Sequence, residues 1–193
     1  DAEIERARRA AAAGSKTPVN HFVLGVAYTW RTPPDLDAAK KALSRAIDLN
    51  PQLAVAYLAR GWVHEMKELQ KRGFFAAFFG GLGDALTLMF GAGEGALGGS
   101  GWLELAIDDY RTALRLNPES AQPELEAQIL LNLGNAHYRL GDQANDRTNV
   151  ELAYLRYTDA LRIGLELGAG RRAFVFWERL GRSAAWRGAW ADS

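Results

Sequence analysis

The chain has 193 residues, 48% of them apolar, and its formal net charge is zero. This length is typical of one domain with a sizeable core, and the apolar content argues against wholesale disorder. Zero net charge gives no sign of a nucleic-acid-binding protein, and the absence of cysteine excludes disulfides, thiolate catalysis and thiolate metal sites.

The first quarter of the chain predicts three helices. Residues 1–14 combine early acids with later arginines, which the helix dipole favours, and predict a leading helix. Pro18 begins a second helix that extends to about Arg31, where a Pro-Pro pair interrupts it. Asp35 can cap a third helix, which ends before Pro51 because the residue preceding a proline disfavours helical geometry.

The whole chain is expected to form a single domain built from helical pairs of similar design. Residues 18–51 form the first pair, residues 52–118 the second and residues 122–165 the third. An insertion at residues 67–101 interrupts the second pair. Residues 171–190 predict a terminal helix that has no partner helix after it.

The first two pairs share a sequence motif in their second helices. Residues 39–51 read AKKALSRAIDLNP, and residues 106–118 read AIDDYRTALRLNP. Each copy of the motif has Ala, then Leu or Tyr four residues later, then Ala three residues later, and such positions lie on one helical face. The first helix of each pair carries a glycine after a leucine or, in the second pair, after Arg60. Small residues at these positions allow two helices to approach closely.

This pattern resembles the tetratricopeptide repeat (TPR) family, in which an aromatic, Leu-Gly, Tyr and Gly in one helix precede Ala, an aromatic, Ala and Pro in the next. The resemblance covers nearly the whole chain outside residues 1–15 and 67–101, although the joint at residues 141–150 is about seven residues longer than in the family. It implies an all-α fold, a right-handed superhelical solenoid of antiparallel helix pairs with a concave surface. The matching pairs are Leu24-Gly25, Arg60-Gly61, Leu133-Gly134 and Leu180-Gly181, and the matching triplets are Ala39/Leu43/Ala46, Ala106/Tyr110/Ala113 and Ala153/Tyr157/Ala160.

The resemblance also implies a peptide-binding groove, because ligands of the family lie along the concave face made by the first helices. In the first two pairs this face is strongly apolar, which suits a hydrophobic helix or an extended peptide. The subgroup that grips chaperone C-termini has Lys and Asn where this chain has Phe22 and Val26, so that function is rejected. The same face includes Glu65 and Arg139. The expected groove residues are Phe22, Val26, Trp30, Leu58, Trp62, Met66, Leu131 and Tyr138.

The insertion is apolar, unlike an ordinary surface loop. It predicts a short amphipathic helix in two halves, loosened by two adjacent glycines, over residues 74–90. Its large side chains can pack into the chain's own groove, dock on a second protomer or partner, or touch a membrane surface, which is the least favoured of the three. A membrane span is disfavoured because it would separate the two helices of one pair. The side chains expected to make the contact are Phe74, Phe75, Phe78, Phe79 and Leu82.

No catalytic, metal or cofactor site is predicted. Asp108 and Asp109 have the spacing of a solvated helix face. Residues 93–98 match the G-x-G-x-x-G nucleotide motif, but no strand precedes them and glycines are frequent around them. The histidines occupy aromatic positions of the repeat, so packing accounts for them; they are His21, His64 and His137.

The sequence therefore predicts a non-catalytic scaffold that binds a protein or peptide, and its start at Asp1 suggests part of a larger protein. Two alternatives stay open. The chain can be a self-association module that uses the insertion or the terminal helix, or the regulatory domain of an enzyme that lies outside this chain. No signal-peptide pattern is present, so a cytoplasmic location is favoured, and export after removal of a leader stays open as an alternative. The usage of Ala, Arg and Gly is typical of a GC-rich bacterial genome.

Overall fold

A computed structural model describes residues 2–12, 16–79, 101–117 and 122–168. Within these residues every regular element is an α-helix, which confirms the all-α prediction. The helices are α1 (Ala2–Ala12), α2 (Pro18–Thr29), α3 (Leu36–Leu49), α4 (Ala54–Phe79), α5 (Gly101–Leu116), α6 (Pro123–Ala144) and α7 (Arg147–Glu166).

Local sequence signals explain where several helices begin and end. Pro18 opens α2, and the Asp35 carboxylate accepts a hydrogen bond of 3.0 Å from the Ala38 backbone N–H, which caps α3 as predicted. Asn50 terminates α3 in extended geometry, as expected before a proline. At α7 the cap is Asp146, whose carboxylate accepts from the Thr148 N–H at 2.9 Å. Asp146 was not anticipated because it lay inside the predicted joint.

Successive helices pack against one another, most extensively α2 with α3, α4 with α5, and α6 with α7. The contacts between α6 and α7 show that this pair is antiparallel. A Cβ added at Gly134 would lie 2.6 Å from Tyr157, whereas one added further along α6, at Gly141, would lie 2.7 Å from Val150, which is earlier in α7. The two helices therefore approach so closely that only glycine fits at these points.

The long joint predicted in the third pair is not a loop. Instead, α6 continues to Ala144, and only Asn145 and Asp146 separate it from α7. Asn145 adopts the left-handed conformation with φ of 51°, and the Asp146 N–H bonds to the Gly141 carbonyl oxygen at 2.8 Å, a common way to end a helix. The extra residues therefore lengthen the two helices rather than the connection.

The insertion begins as a continuation of α4. This helix extends without a break for 26 residues to Phe79, so the prediction of a separate short helix starting at Phe74 is wrong. The second half of the predicted insertion helix and the terminal helix at residues 171–190 lie outside the described residues. Among the helices that the structure describes, none is both long and apolar enough to cross a membrane.

The core consists of small residues and large aromatic or branched ones that meet between helices. Tyr110 of α5 packs with residues of α4 and α6, and Tyr157 of α7 packs with residues of α6. Leu43 of α3 is fully buried among side chains of α1, α2 and α4. These three side chains are the central members of the repeated triplets, so the sequence pattern correctly identified the core positions.

Candidate functional site

A groove lies between the described parts of α2, α4 and α6, with a volume of about 290 Å³. Residues four apart on α2, Phe22 and Val26, point into it, and so do Leu58 and Trp62 on α4. None of the lining side chains in the described residues is charged. These lining residues are Phe22, Val26, Thr29, Trp30, Val55, Leu58, Ala59, Trp62 and Asn132.

Two indole rings form one side of this groove. Trp30 and Trp62 stack with ring centroids 6.1 Å apart and an angle of 26° between the rings. Trp30 directly follows the last residue of α2 and remains 77% exposed, although tryptophan is among the most costly side chains to leave in water. An exposed, stacked tryptophan beside an uncharged groove is the feature expected of a binding hot spot.

The structure brings together five of the predicted groove residues and separates the others from them. Phe22, Val26, Trp30, Leu58 and Trp62 line the groove. Met66 packs instead against the buried cluster of α2, α3 and α4, and Leu131 and Tyr138 pack against the α6–α7 cluster. The predicted contact residues of the insertion, Phe74, Phe75, Phe78, Phe79 and Leu82, have side chains outside the described set.

Asn132 lines the groove but was missed by sequence reasoning. Its side-chain oxygen accepts a hydrogen bond of 3.1 Å from the Gln128 amide nitrogen, one turn earlier on α6. The spacing of four residues is the same as that of Phe22 and Val26 on α2. The repeat of this spacing on a first helix was a signal that could have identified Asn132.

A charged cluster lies between α4 and α5. Arg60 donates two hydrogen bonds to Asp109, from Nε at 2.8 Å and from Nη2 at 2.7 Å, and a third from Nη1 to the Ser44 hydroxyl at 3.2 Å. Asp109 is only 6% exposed, so the prediction that it lies on a solvated face is wrong. Asp108 beside it is exposed as expected. Burial raises the pKa of the Asp109 carboxyl, whereas the Arg60 bonds oppose that rise.

A second part of the cluster links α4 to α6. The buried Glu65 carboxylate accepts a bond of 2.6 Å from the Tyr110 hydroxyl and one of 2.9 Å from Nη1 of Arg139. Burial, and then the charge of Glu65, raise the pKa of Tyr110 well above its usual value. Glu65 was expected on the groove face, but it lies in the interior because these two donors compensate its charge.

The histidines of α4 and α6 are buried, as packing residues would be. His64 stacks on Trp102, with ring centroids 5.4 Å apart, and burial together with the positive charges of Arg60 and two lysines lowers its pKa to about 4. The His137 Nδ1 lies 2.7 Å from the Asn149 side-chain oxygen, and burial lowers the pKa of this imidazole. In the described parts of the chain, no three acidic or histidine side chains cluster in a way that could hold a metal ion.

A larger cavity, of about 480 Å³, lies between α4 and α5. It is lined by charged side chains of both signs, including Lys71 and Asp108, and it borders Gly101, the first residue after an undescribed segment. The smaller groove is the better candidate site because it is uncharged and contains the exposed indole.

No known family model matches the chain, and no curated protein matches it. In its described residues, the protein is all-helical and has an uncharged groove that contains a stacked pair of tryptophans.

Proposed function

We propose that this chain is a TPR-type solenoid whose groove binds an apolar segment of a partner protein, and that it acts as a non-catalytic scaffold. The observation that carries this proposal is the tryptophan pair at an uncharged groove. The TPR assignment is supported by the recurrence of one contact, in which a glycine of the first helix meets the middle residue of the following triplet: Gly25 with Leu43, Gly61 with Tyr110, and Gly134 with Tyr157.

The energetic argument rests on Trp30. A tryptophan buries about 150–250 Å² when it is covered, and apolar burial contributes roughly 25 cal/mol per Å². Covering a side chain that is 77% exposed therefore contributes roughly 3–5 kcal/mol before the entropic cost of association is subtracted. An apolar ligand gains this energy without desolvating a charge, because the lining side chains are neutral.

The groove can be tested with a library of displayed peptides selected on the immobilised chain. We expect enriched peptides that are rich in apolar or aromatic residues, and we expect W30A to weaken their binding at least about tenfold because Trp30 is the exposed anchor. The matched control is L155A, which removes another exposed apolar side chain, on α7. Trp30 is exposed, so its removal should leave the fold intact.

Two outcomes of this experiment contradict the proposal. One is a selection that enriches no peptide over a blank surface. The other is a set of peptides that bind W30A and the unmodified chain equally well. Light scattering over a range of protein concentrations distinguishes the proposed partner from a second copy of the chain, because a groove that binds its own copies makes the mass rise with concentration.

A further inference from the structure

We infer that the segment recognised by the groove is proline-rich and binds as a polyproline II helix; this inference rests on the proposed function and specifies its ligand. The argument starts from the hydrogen-bonding atoms that the groove offers. The indole N–H groups of Trp30 and Trp62 can only donate, and neither has a partner among the described residues. A ligand of this groove therefore meets donors that need acceptors.

The side-chain acceptors of the groove are few, and each already takes part in a hydrogen bond. The Asn132 oxygen accepts from Gln128 at 3.1 Å, which leaves the amide N–H groups of Asn132 as donors. The Thr29 hydroxyl donates to the Val26 carbonyl oxygen at 2.6 Å and is buried. The groove thus presents aromatic faces and three donor side chains, Trp30, Trp62 and Asn132.

Common peptide conformations fit this arrangement poorly. An extended ordinary peptide brings a backbone N–H at every residue, and such groups lose free energy when they are buried without an acceptor. An α-helical segment satisfies both its N–H and its C=O groups internally, so it would leave the indole and amide donors of the groove against apolar surface.

A proline-rich segment matches the groove in both respects. Proline has no backbone N–H, and the polyproline II helix has no internal hydrogen bonds, so its carbonyl oxygens are free to accept. Its rings are compact and apolar, and aromatic-lined grooves bind such segments at low entropic cost because the helix is already formed in solution. The stacked rings of Trp30 and Trp62, together with Phe22 in the same groove lining, supply the aromatic surface.

The test uses the full chain and a blocked decaproline peptide, followed by NMR of the indole N–H signals. The chain contains six tryptophans, and W30F and W62F assign the two signals of interest. We expect decaproline to shift both signals in a saturable way and to leave the signal of Trp102, which stacks on His64 outside the groove, in place. A Gly-Ser peptide of equal length should bind at least about tenfold more weakly, because its N–H groups lack acceptors.

The variant N132L tests the donor argument itself. It removes the amide donors while keeping an apolar side chain of similar size, and we expect decaproline affinity to fall by about three- to tenfold. The matched control is Q70L, which removes an exposed amide on α4 away from the groove lining. Unchanged far-UV circular dichroism shows that both variants fold.

Two results would overturn the inference while leaving the proposed function standing. One is that a Leu-rich amphipathic helical peptide, or a peptide selected from the library, shifts the indole signals whereas decaproline does not. The other is that N132L binds decaproline as tightly as Q70L does. If neither decaproline nor any selected peptide shifts these signals, the inference and the proposed function both fail.

Discussion

The α4–α5 pair and the α6–α7 pair share one packing contact but differ in the polar groups around it. In both pairs, a Cβ on the glycine of the first helix would lie 2.6 Å from Cε1 of the tyrosine in the second, at Gly61 with Tyr110 and at Gly134 with Tyr157. The tyrosine hydroxyl then bonds differently. Tyr110 donates to the charged Glu65, whereas Tyr157 donates to the neutral Asn135 at 3.0 Å.

The residue that precedes each glycine also differs between the two pairs. Leu133 in α6 is a buried apolar residue, whereas Arg60 in α4 forms an ion pair with Asp109. The small residues and the tyrosine therefore determine how closely the helices approach, and the neighbouring positions are free to carry charge. In the α4–α5 pair this freedom allows Glu65 to reach Arg139 and to connect α4 with α6.

The largest expected effect comes from breaking the Arg60–Asp109 ion pair between α4 and α5. D109A removes both carboxylate oxygens that accept from Arg60 and leaves a largely buried guanidinium with only the Ser44 hydroxyl as an acceptor among the described residues. We expect the free energy of unfolding to fall by about 3 kcal/mol in urea denaturation. The control is D108A, an exposed neighbour, which should change it by less than about 0.5 kcal/mol. Equal losses for the two variants would contradict the structural role of the Arg60–Asp109 pair.

A pH dependence of nearly that size is expected from His64. Its pKa is about 4 in the folded chain and 6.5 when unfolded, so the unfolded chain binds the proton first. Above about pH 6.5 His64 is neutral in both states and does not lower the free energy of unfolding. As the pH falls from 6.5 towards 4, protonation of the unfolded chain lowers the free energy of unfolding by about 2–3 kcal/mol. H64F keeps a ring against Trp102 but does not titrate. The free energy of unfolding of the unmodified chain should therefore fall relative to that of H64F between pH 6.5 and 4. Parallel curves of free energy against pH would rule out the His64 contribution.

The tyrosine hydroxyls provide a direct comparison of the two pairs. Y110F removes a donor from a buried carboxylate, and we expect a loss of about 2 kcal/mol in the free energy of unfolding. Y157F removes a bond to a neutral amide, so its loss should be about 1 kcal/mol. Each phenylalanine variant is the control for the other, because the ring is kept. A larger loss for Y157F would reverse the interpretation that charge distinguishes the pairs.

The smallest effect tests what the pairs have in common. In G61A and G134A, the added methyl contacts a tyrosine ring, and this crowding lowers the free energy of unfolding by about 1–3 kcal/mol. The higher helix propensity of alanine opposes this loss by about 1 kcal/mol. We expect thermal unfolding to show a net loss of about 1 kcal/mol in each. G101A is the control, because no atom of the described residues lies within 4 Å of a Cβ at Gly101. A neutral G61A beside a damaging G134A would show that the pairs do not share this contact.

The sequence predicted most of the described helices and their core contacts because both depend on local signals. The carboxylate of Asp35, the prolines and the Ala–Tyr–Ala spacing act within one helix or one helical pair. Asp109 was misplaced because helical periodicity cannot show that Arg60, from another helix, lies beside it. An arginine at a position that otherwise holds leucine was the available clue to the buried ion pair.

The groove was predictable along each helix but not across the helices. The resemblance to the TPR family placed Phe22 and Val26 on one face of α2, and Leu58 and Trp62 on one face of α4. Met66 continues that face on α4, yet it packs against the cluster that includes Ile4 and Tyr28. How far neighbouring helices cover a face is a tertiary property, and the periodicity of one helix does not contain it.

The separation in sequence between paired residues has a consequence for the order of folding. Arg60 and Asp109 lie 49 residues apart, whereas Asn135 and Tyr157 lie 22 residues apart. Loop closure therefore costs about 0.7 kcal/mol more for the α4–α5 pair, and long-range contacts slow folding. We expect α6 and α7 to form a nucleus onto which α5 and then α4 assemble. The long connection between α4 and α5 then delays the formation of the groove, since α4 contributes Leu58 and Trp62 to it.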